Sequence, residues 1–229
     1  MALLLSIETS THSFSCALHF EGKLIGVGES TESQTTASML AVMIDKLFSE
    51  AEMKKDQLKG VVVASGPGSY TGLRIGVATA KGICYALNTT LISINTLYLL
   101  THQVKGTLDR TDSALLCPML DARRMEVYCT LLNRDLDVVE PTQAKVVDEN
   151  SFTEHLQRQS IYFFGEGSDK FQGVVTNANA KFIKNIKPSA AALGELGYHK
   201  FVKAEFEDLE HFEPFYLKDF LIKKPNSVS

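Results

Sequence analysis

Hydrophobic and polar positions along the chain predict alternating strands and helices, beginning with a short apolar segment at residues 3–7. An almost wholly apolar run bounded by polar residues is typical of a strand buried on both faces. Period-two alternation at residues 14–20, a Glu21-Gly22 turn and a return over residues 23–29 predict a hairpin of two further strands. The first helix is predicted by an apolar stripe at i, i+3, i+4 and i+7 spacing, formed by Leu40, Met43, Ile44, Leu47, Phe48 and Ala51.

The chain then alternates regularly and repeats its order in the second half. Strands at residues 61–64 and 90–94, with helices at 73–87 and 95–104, give the first half the order βββαβαβα. The second half has the same order in a weaker form, with strands predicted at residues 114–120, 125–132, 138–147, 161–164 and 181–186 and helices at 151–157, 169–174 and 189–206. The helix at 151–157 is predicted to begin with a Ser151 cap and Glu154 in its first turn.

Two tandem βββαβαβα units predict an α/β chain with the actin-like ATPase fold, also described as the ASKHA or ribonuclease H-like class. We predict an N-terminal lobe at residues 1–105, a smaller and degenerate C-terminal lobe at 106–222, and a frayed tail at 223–229. A nucleotide usually sits between the lobes of this fold class. The fold alone does not establish a function.

Composition and charge exclude several classes of protein. The chain has 45% hydrophobic and 22% charged residues, as expected of a globular protein with a large core. Its formal net charge of −4 gives no broad cationic field, so we do not expect this chain to bind tRNA directly. The four cysteines lack CxxC spacing, and no apolar run approaches the ~18 residues of a membrane span or forms a signal peptide. We therefore expect a cytoplasmic protein with free thiols.

The most distinctive local feature is the glycine-rich segment Gly66-Pro67-Gly68-Ser69-Tyr70-Thr71-Gly72, between a buried strand and a helix. Such loops can bind anions through backbone N–H groups and the helix dipole. The segment lacks the Gly-Lys-Ser/Thr sequence of a Walker loop. The pattern alone leaves two interpretations open, a phosphate site and a tight turn needed for packing.

The helix after this loop carries an unusual amount of apolar surface. Its only charged side chains are Arg74 and Lys81, seven residues apart and on one face. Small residues recur every four positions along it, which permits close approach of another helix. Met39 and Val42 add apolar surface away from the core face of the preceding helix. We therefore favour a partner surface over burial within the chain, and predict that it includes Met39, Val42, Met43, Gly72, Arg74, Gly76 and Ala80.

Candidate catalytic groups are few. Glu8-Thr9-Ser10-Thr11 follows the first strand, where an actin-like ATPase has a phosphate loop, but no Lys or Asp follows within the loop. The six histidines include no i,i+4 pair, so a helical two-His metal site is not predicted. The polar segment at residues 121–128 fits either a ligand-positioning group or a turn with a local ion pair. No catalytic, cofactor-binding or metal-binding residue is predicted.

Four segments, in order along residues 3–218, resemble the TsaB (YeaZ) family. They are Leu5-Ser6-Ile7-Glu8-Thr9-Ser10, Gly66-Pro67-Gly68-Ser69-Tyr70-Thr71-Gly72-Leu73-Arg74-Ile75-Gly76, Asp121-Ala122-Arg123-Arg124-Met125-Glu126-Val127-Tyr128 and Glu213-Pro214-Phe215-Tyr216-Leu217-Lys218. The family often has a His-Ser/Thr pair before the first helix, whereas this chain has Thr35-Thr36. Residues 135–187 match the family least well.

The resemblance implies a non-catalytic scaffold or activating subunit of the complex that forms N6-threonylcarbamoyladenosine at position 37 of ANN-decoding tRNAs. It implies binding to the catalytic paralogue TsaD, or to a second copy of the chain, through the first two helices, with the small ATPase TsaE joining them. Contact with tRNA would occur only through the complex. No cofactor of this chain is implied, and a nucleotide at the partner interface stays open. The alternatives are a stand-alone actin-fold ATPase or phosphotransferase and, less favoured, a glycoprotease-like peptidase.

Overall fold

The first half of the chain folds into a five-stranded sheet. The computed structural model describes residues 1–30, 37–109 and 113–217, so predictions concerning Thr35-Thr36 and the tail at 223–229 lie outside it. The strands of this sheet are β1 (Leu3–Glu8), β2 (Phe14–Phe20), β3 (Lys23–Ser30), β4 (Leu58–Gly66) and β5 (Thr90–Asn95). Antiparallel β2 and β3 and parallel β4 and β5 flank a central β1, in the order β3-β2-β1-β4-β5. The helices between and after them are α1 (Ala37–Glu50), α2 (Tyr70–Leu87) and α3 (Thr96–Lys105).

The second half repeats this topology. Its strands are β6 (Leu115–Asp121), β7 (Glu126–Leu132), β8 (Val138–Val146), β9 (Ile161–Phe164) and β10 (Ala180–Ile183). The sheet has the order β10-β9-β6-β7-β8, with the same pattern of antiparallel and parallel pairs around the central β6. Its helices are α4 (Thr153–Leu156), α5 (Ser168–Gln172) and α6 (Ala190–Val202). The predicted tandem βββαβαβα arrangement is confirmed, and the two short helices α4 and α5 make the second lobe the smaller one.

The two faces of the first sheet are covered by different helices. Alternate residues of β1 point to opposite faces, as the strand period of two requires. Leu3, Leu5 and Ile7 join a core with the inner faces of α1 and α2. Leu4, on the other face, packs against a core that includes residues of α3 and α6. The outer sides of α1 and α2 therefore point away from the rest of the first lobe.

The C-terminal part of the chain returns to the first lobe. Helix α6 packs on the first sheet through Leu193 and Leu196. Residues 203–217, which we call the C-terminal strap, then run along the first lobe, where the backbone N–H of Glu207 donates to the Leu91 carbonyl at 2.9 Å. The predicted division at residue 105 falls at the end of α3, between the two sheets. Helix α6 and the strap, which the prediction assigns to the lobe at 106–222, pack on the first lobe, and the division into lobes stays a prediction.

A membrane-spanning helix was not expected, and the described residues contain no helix long and apolar enough to span a bilayer.

Candidate functional site

The outer sides of α1 and α2 form an exposed surface with apolar side chains. Val42 of α1 is 68% exposed and Tyr85 of α2 is 84% exposed. Met39 and Met43 are half-buried and touch the core cluster from its outer edge. We use the term outer helical face for the outward residues of the two helices taken together, Met39, Val42 and Met43 of α1 and Arg74, Ala78, Gly82 and Tyr85 of α2. Four of the seven predicted partner residues, Met39, Val42, Met43 and Arg74, lie on it.

A groove borders this face between α1 and the edge strand β3. It has a volume of about 550 Å³, and Met39, Val42 and Met43 line it together with Val27 and Lys46. Because β3 is an edge strand of the sheet, the groove opens at the side of the first lobe. The predicted apolar surface of α1 therefore continues onto the neighbouring strand.

The other three predicted partner residues lie inside the chain. Gly72, Gly76 and Ala80 are buried. A Cβ added at Gly72 would overlap the carbonyl oxygen of Thr9, and one at Gly76 would overlap the Thr9 hydroxyl. The prediction that this ridge of small residues receives a partner helix therefore needs correction. The ridge lets α2 approach the loop after β1 closely.

A second stripe at four-residue spacing lies on the exposed side of α2. It begins with Arg74 and continues with the small residues Ala78 and Gly82, and a Cβ built at Gly82 meets no atom of the described residues within 4 Å. Sequence reasoning missed this stripe, although it has the same spacing as the buried one. Small side chains here leave room for the backbone of another helix to come close.

A cleft of about 620 Å³ lies between the two lobes, at the ends of the central strands β1 and β6. The loop after β1 supplies Ser10, Thr11 and His12, and the loop after β6 supplies Asp121 to Arg124. The N-terminus of α2 also faces the cleft through Ser69, Tyr70 and Thr71. The predicted segments 8–11, 66–72 and 121–128 thus meet at one place.

The two lobes use similar loops at this cleft. Gly66-Pro67-Gly68-Ser69 follows β4, and Gly165-Glu166-Gly167-Ser168 follows the equivalent strand β9. In the first loop the N–H of Ser69 donates to the Ser10 carbonyl at 2.7 Å, and in the second the N–H of Gly167 donates to the Met119 carbonyl at 3.1 Å. The repeated Gly-x-Gly-Ser sequence was available as a signal and identifies Glu166 as a cleft residue that sequence reasoning missed.

Two carboxyl groups, those of the buried Glu8 and the half-buried Glu166, lie close together at the cleft. Glu8 is fully buried, and its Oε1 accepts from the N–H of Ser10 at 2.8 Å, whereas Oε2 has no hydrogen-bond partner among the described residues. Burial raises the pKa of Glu8 to about 7 despite the opposing hydrogen bonds from Ser10, and the charge of Glu166 raises it further. Burial also raises the pKa of Glu166 above its ordinary value. The first lobe thus places the carboxyl group of Glu8, which is protonated or readily protonated, beside the carboxyl group of Glu166 from the second lobe.

Asp121, at the end of β6, behaves differently. Burial alone would raise its pKa, but the hydrogen bonds from Lys170 Nζ (2.7 Å) and the N–H of Arg123, with the Lys170 charge, hold that pKa below its ordinary value. Asp121 is therefore an ionised group with a cation beside it. Within the described ranges, no group of three or more His, Cys, Asp or Glu side chains is arranged to hold a metal ion.

Comparisons with known proteins agree on one family. A model of the TsaD family, described as tRNA N6-adenosine threonylcarbamoyltransferase, matches residues 26–224. The chain is 33% identical over 145 residues to the tRNA threonylcarbamoyladenosine biosynthesis protein TsaB of Bacillus subtilis, a match that covers 61% of this chain and 60% of that protein. The TsaB protein of Haemophilus influenzae is 24% identical over 225 residues, covering 94% of this chain and 93% of that one.

A solved structure supports the fold. A Pseudomonas aeruginosa protein, described as uncharacterized with similarity to peptidase YeaZ, superposes with a TM-score of 0.80 at 21% identity. The superposition covers 95% of this chain and all of that chain. The two lobes and their connection are therefore shared with that structure.

Proposed function

The chain belongs to the TsaB (YeaZ) branch of the TsaD family, and on that basis we propose that it takes part in tRNA threonylcarbamoyladenosine biosynthesis. Its role is that of a scaffold and activating subunit for a TsaD-like catalytic paralogue. The modified nucleoside is N6-threonylcarbamoyladenosine at position 37 of ANN-decoding tRNAs. The chain itself performs no chemical step.

The outer helical face is the observation that supports a partner-binding role. Val42 of α1 and Tyr85 of α2 are large side chains left mostly exposed, and the small exposed residues Ala78 and Gly82 of α2 leave room for a second helix to approach. Burying such a face gains roughly 25 cal/mol for each Å² of apolar surface removed from water. A helical face of the TsaD-like paralogue is the proposed occupant, and a second copy of this chain competes for the same surface.

Further partners follow from this arrangement. A TsaE-like ATPase joins the heterodimer, and tRNA contacts the complex through the other subunits. The net charge of −4 supports this division, because a negatively charged chain is repelled by the phosphate backbone.

Stand-alone ATPase activity is the second candidate, and the cleft is the observation that favours it. Its volume of about 620 Å³ is of ligand size, and the α2 N-terminus faces it. Against it, the loop Glu8-Thr9-Ser10-Thr11 contains no Lys or Asp that could hold a phosphate or its metal ion. We therefore favour the scaffold role over stand-alone hydrolysis of a nucleotide.

Reconstitution of tRNA modification tests the proposal. Unmodified ANN-decoding tRNA, the threonylcarbamoyl donor, a TsaD-like subunit and a TsaE-like ATPase are combined with and without this chain. We expect modification to require the chain, and the chain alone to neither modify tRNA nor hydrolyse ATP. Modification at full rate without the chain would overturn the proposal, and ATP turnover by the isolated chain would favour the second candidate.

A pair of variants locates the partner surface in the same assay. Val42→Glu places a charge on the outer helical face, where Lys46 one turn later can pair with it and preserve the helix. Val202→Glu is the matched control, because Val202 is a helical valine of α6 with 67% exposure against 68% for Val42. We expect Val42→Glu to weaken partner binding by at least about tenfold, since burying a carboxylate against the apolar surface of the partner costs several kcal/mol of desolvation even with Lys46 beside it. If Val42→Glu and Val202→Glu changed the affinity for the partner equally, the interface would lie elsewhere.

A further inference from the structure

We propose that Tyr216 in the C-terminal strap positions the guanidinium of Arg74, through Tyr70, for an ion pair with an acidic side chain of the partner protein. The inference rests on the proposed function, in which the outer helical face binds that partner. It gives a role to the C-terminal motif Glu213-Pro214-Phe215-Tyr216-Leu217, which the proposed function alone leaves unexplained.

Tyr70 contacts both residues. Its ring centroid lies 4.8 Å from that of Tyr216, with the ring planes inclined at 42°. The guanidinium carbon of Arg74 lies 4.5 Å from the Tyr70 ring centroid, within the range of a cation–π contact. Tyr70 and Arg74 are one helical turn apart at the start of α2, so the contact requires no distortion of the helix. A side chain of the strap is thereby linked to a charged group on the outer helical face.

The strap is anchored firmly enough to fix the Tyr216 ring. The N–H of Phe215, the residue before Tyr216, donates to the Ser65 carbonyl at 2.7 Å. Earlier in the strap, Lys81 Nζ donates to the carbonyls of Glu210 at 3.0 Å and Phe212 at 3.1 Å. These bonds hold the strap to β4 and α2, so Tyr216 approaches Tyr70 from a fixed direction.

The environment of Arg74 points to an acidic partner group. Arg74 is exposed, and no carboxylate among the described residues lies within ion-pair distance of it. A guanidinium that rests its flat face on an aromatic ring keeps its N–H edge available, and that edge matches a carboxylate in bidentate geometry. Holding the side chain in place before binding also reduces the rotamer freedom that binding would otherwise remove.

A double-mutant cycle tests whether Tyr216 acts through Arg74. The equilibrium constant for binding the TsaD-like subunit is measured by calorimetry for wild type, Tyr216→Ala, Arg74→Ala and the double variant. We expect about fivefold weaker binding for Tyr216→Ala and about tenfold for Arg74→Ala. The double variant should bind no more weakly than Arg74→Ala alone, because the two changes remove the same interaction.

Two further variants separate positioning from general stability of the strap. Tyr216→Phe keeps the ring and should retain wild-type affinity. Phe206→Ala removes an aromatic ring from the same strap that instead packs on Phe201 of α6, at 5.8 Å, and should also leave the affinity unchanged. Additive losses in the cycle, or equal losses for Phe206→Ala and Tyr216→Ala, would overturn the inference.

A measurement without the partner keeps this inference distinct from the proposed function. In the free chain, the Tyr70 ring should shift the NMR signals of the Arg74 side chain away from their random-coil positions. We expect Tyr216→Ala to move these signals most of the way back and Tyr216→Phe to leave them in place. Unchanged signals in Tyr216→Ala would refute the positioning role even if the partner binds. Failure of the wild type to bind the partner would instead refute the proposed function and, with it, the acidic contact.

Discussion

Two glycines of α2 set the distance between that helix and the loop after β1. The carbonyl oxygen and hydroxyl of Thr9 occupy the space that side chains at Gly72 and Gly76 would need. On the opposite side of the same helix, Gly82 faces open space. Glycine is therefore required at the first two positions by close packing, whereas at Gly82 no contact among the described residues requires it.

We predict opposite effects of adding one methyl group at these positions. Gly72→Ala should lower the free energy of unfolding by roughly 1–3 kcal/mol, because the backbone oxygen of Thr9 cannot rotate away. Gly82→Ala, the matched control, should raise it by roughly 0.5–1 kcal/mol through its higher helix propensity. Urea denaturation of both variants checks the pair. A similar change in the free energy of unfolding of both variants would show that Thr9 does not limit how closely α2 approaches the loop after β1.

The sequence could indicate that α2 has small-residue stripes but could not orient them. The buried and exposed stripes differ little in hydrophobicity, since one consists of Gly72, Gly76 and Ala80 and the other includes Ala78 and Gly82. The apolar pattern therefore does not indicate which stripe is buried. That choice is made by Thr9, which belongs to another element and contacts α2 only in the folded chain. The exposure of Val42 could be predicted, because this residue lies away from the apolar stripe that forms the core face of α1.

At the level of elements, α6 closes the face of the first sheet opposite α1 and α2. Its N-terminal N–H at Ala190 donates to the hydroxyl of Ser15 on β2 at 2.9 Å. Gly194 lies over the buried ring of His19 and the hydroxyl of Ser6, so close that an added Cβ would overlap the ring. One helix from the end of the chain therefore determines the packing of two strands from its beginning.

We predict that Gly194→Ala loosens α6 without unfolding the rest of the lobe. The methyl group would push the helix away from His19 and destabilise it by about 2–3 kcal/mol. Hydrogen exchange followed by mass spectrometry should show faster exchange in α6, with α1 unchanged. Gly106→Ala is the control, because a Cβ at Gly106 meets nothing within 4 Å. Unaltered hydrogen exchange of α6 in Gly194→Ala would show that the contact between α6 and His19 accommodates the added methyl group.

Element boundaries show which parts of the fold depend on local sequence. Helix α2 begins at Tyr70, three residues before the predicted start, because Ser69 caps it by accepting from the N–H of Gly72. Helix α4 covers only Thr153–Leu156. The predicted Ser151 cap fails there because the Ser151 hydroxyl donates to Asp148 instead. Long elements with strong periodicity were predictable, whereas short ones depend on such single hydrogen bonds.

On the scale of the whole molecule, the two lobes bring Glu8 and Glu166 together at the cleft. Each lobe contributes one carboxyl group from a strand end or a glycine loop, and burial raises the pKa of both. A raised pKa means that the folded chain holds a proton that the unfolded chain releases at a lower pH. Stability of the assembled lobes is therefore linked to pH.

We predict the direction of that dependence from Glu8. Its pKa rises from 4.5 to about 7 on folding, so its contribution to stability is complete below pH 4.5 and is lost as the pH rises to 7. The loss amounts to roughly 3 kcal/mol at most. Glu8→Gln keeps the acceptor for the Ser10 N–H and should remove this decline, which makes the variant more stable than wild type at pH 8.

Thermal denaturation from pH 4.5 to 8 checks this prediction. The exposed Glu149→Gln is the control and should keep the wild-type profile. Burial lowers the pKa of His19, which favours stability at higher pH, but this contribution is common to all three proteins and cancels in their differences. Parallel profiles of Glu8→Gln and wild type would show that Glu8 is already ionised in the folded chain.

The return of α6 to the first sheet has a consequence for synthesis on the ribosome. The ribosome releases the sheet residues Leu4, Val62 and Ile92 long before it releases Leu193 and Leu196 of α6, which cover them in the finished protein. At translation rates of about 5–20 residues per second, the roughly 100 intervening residues take about 5–20 seconds to add. During that interval only α3 is available to cover this face of the nascent first sheet, so we expect the apolar surface that α6 later covers to attract a ribosome-associated chaperone.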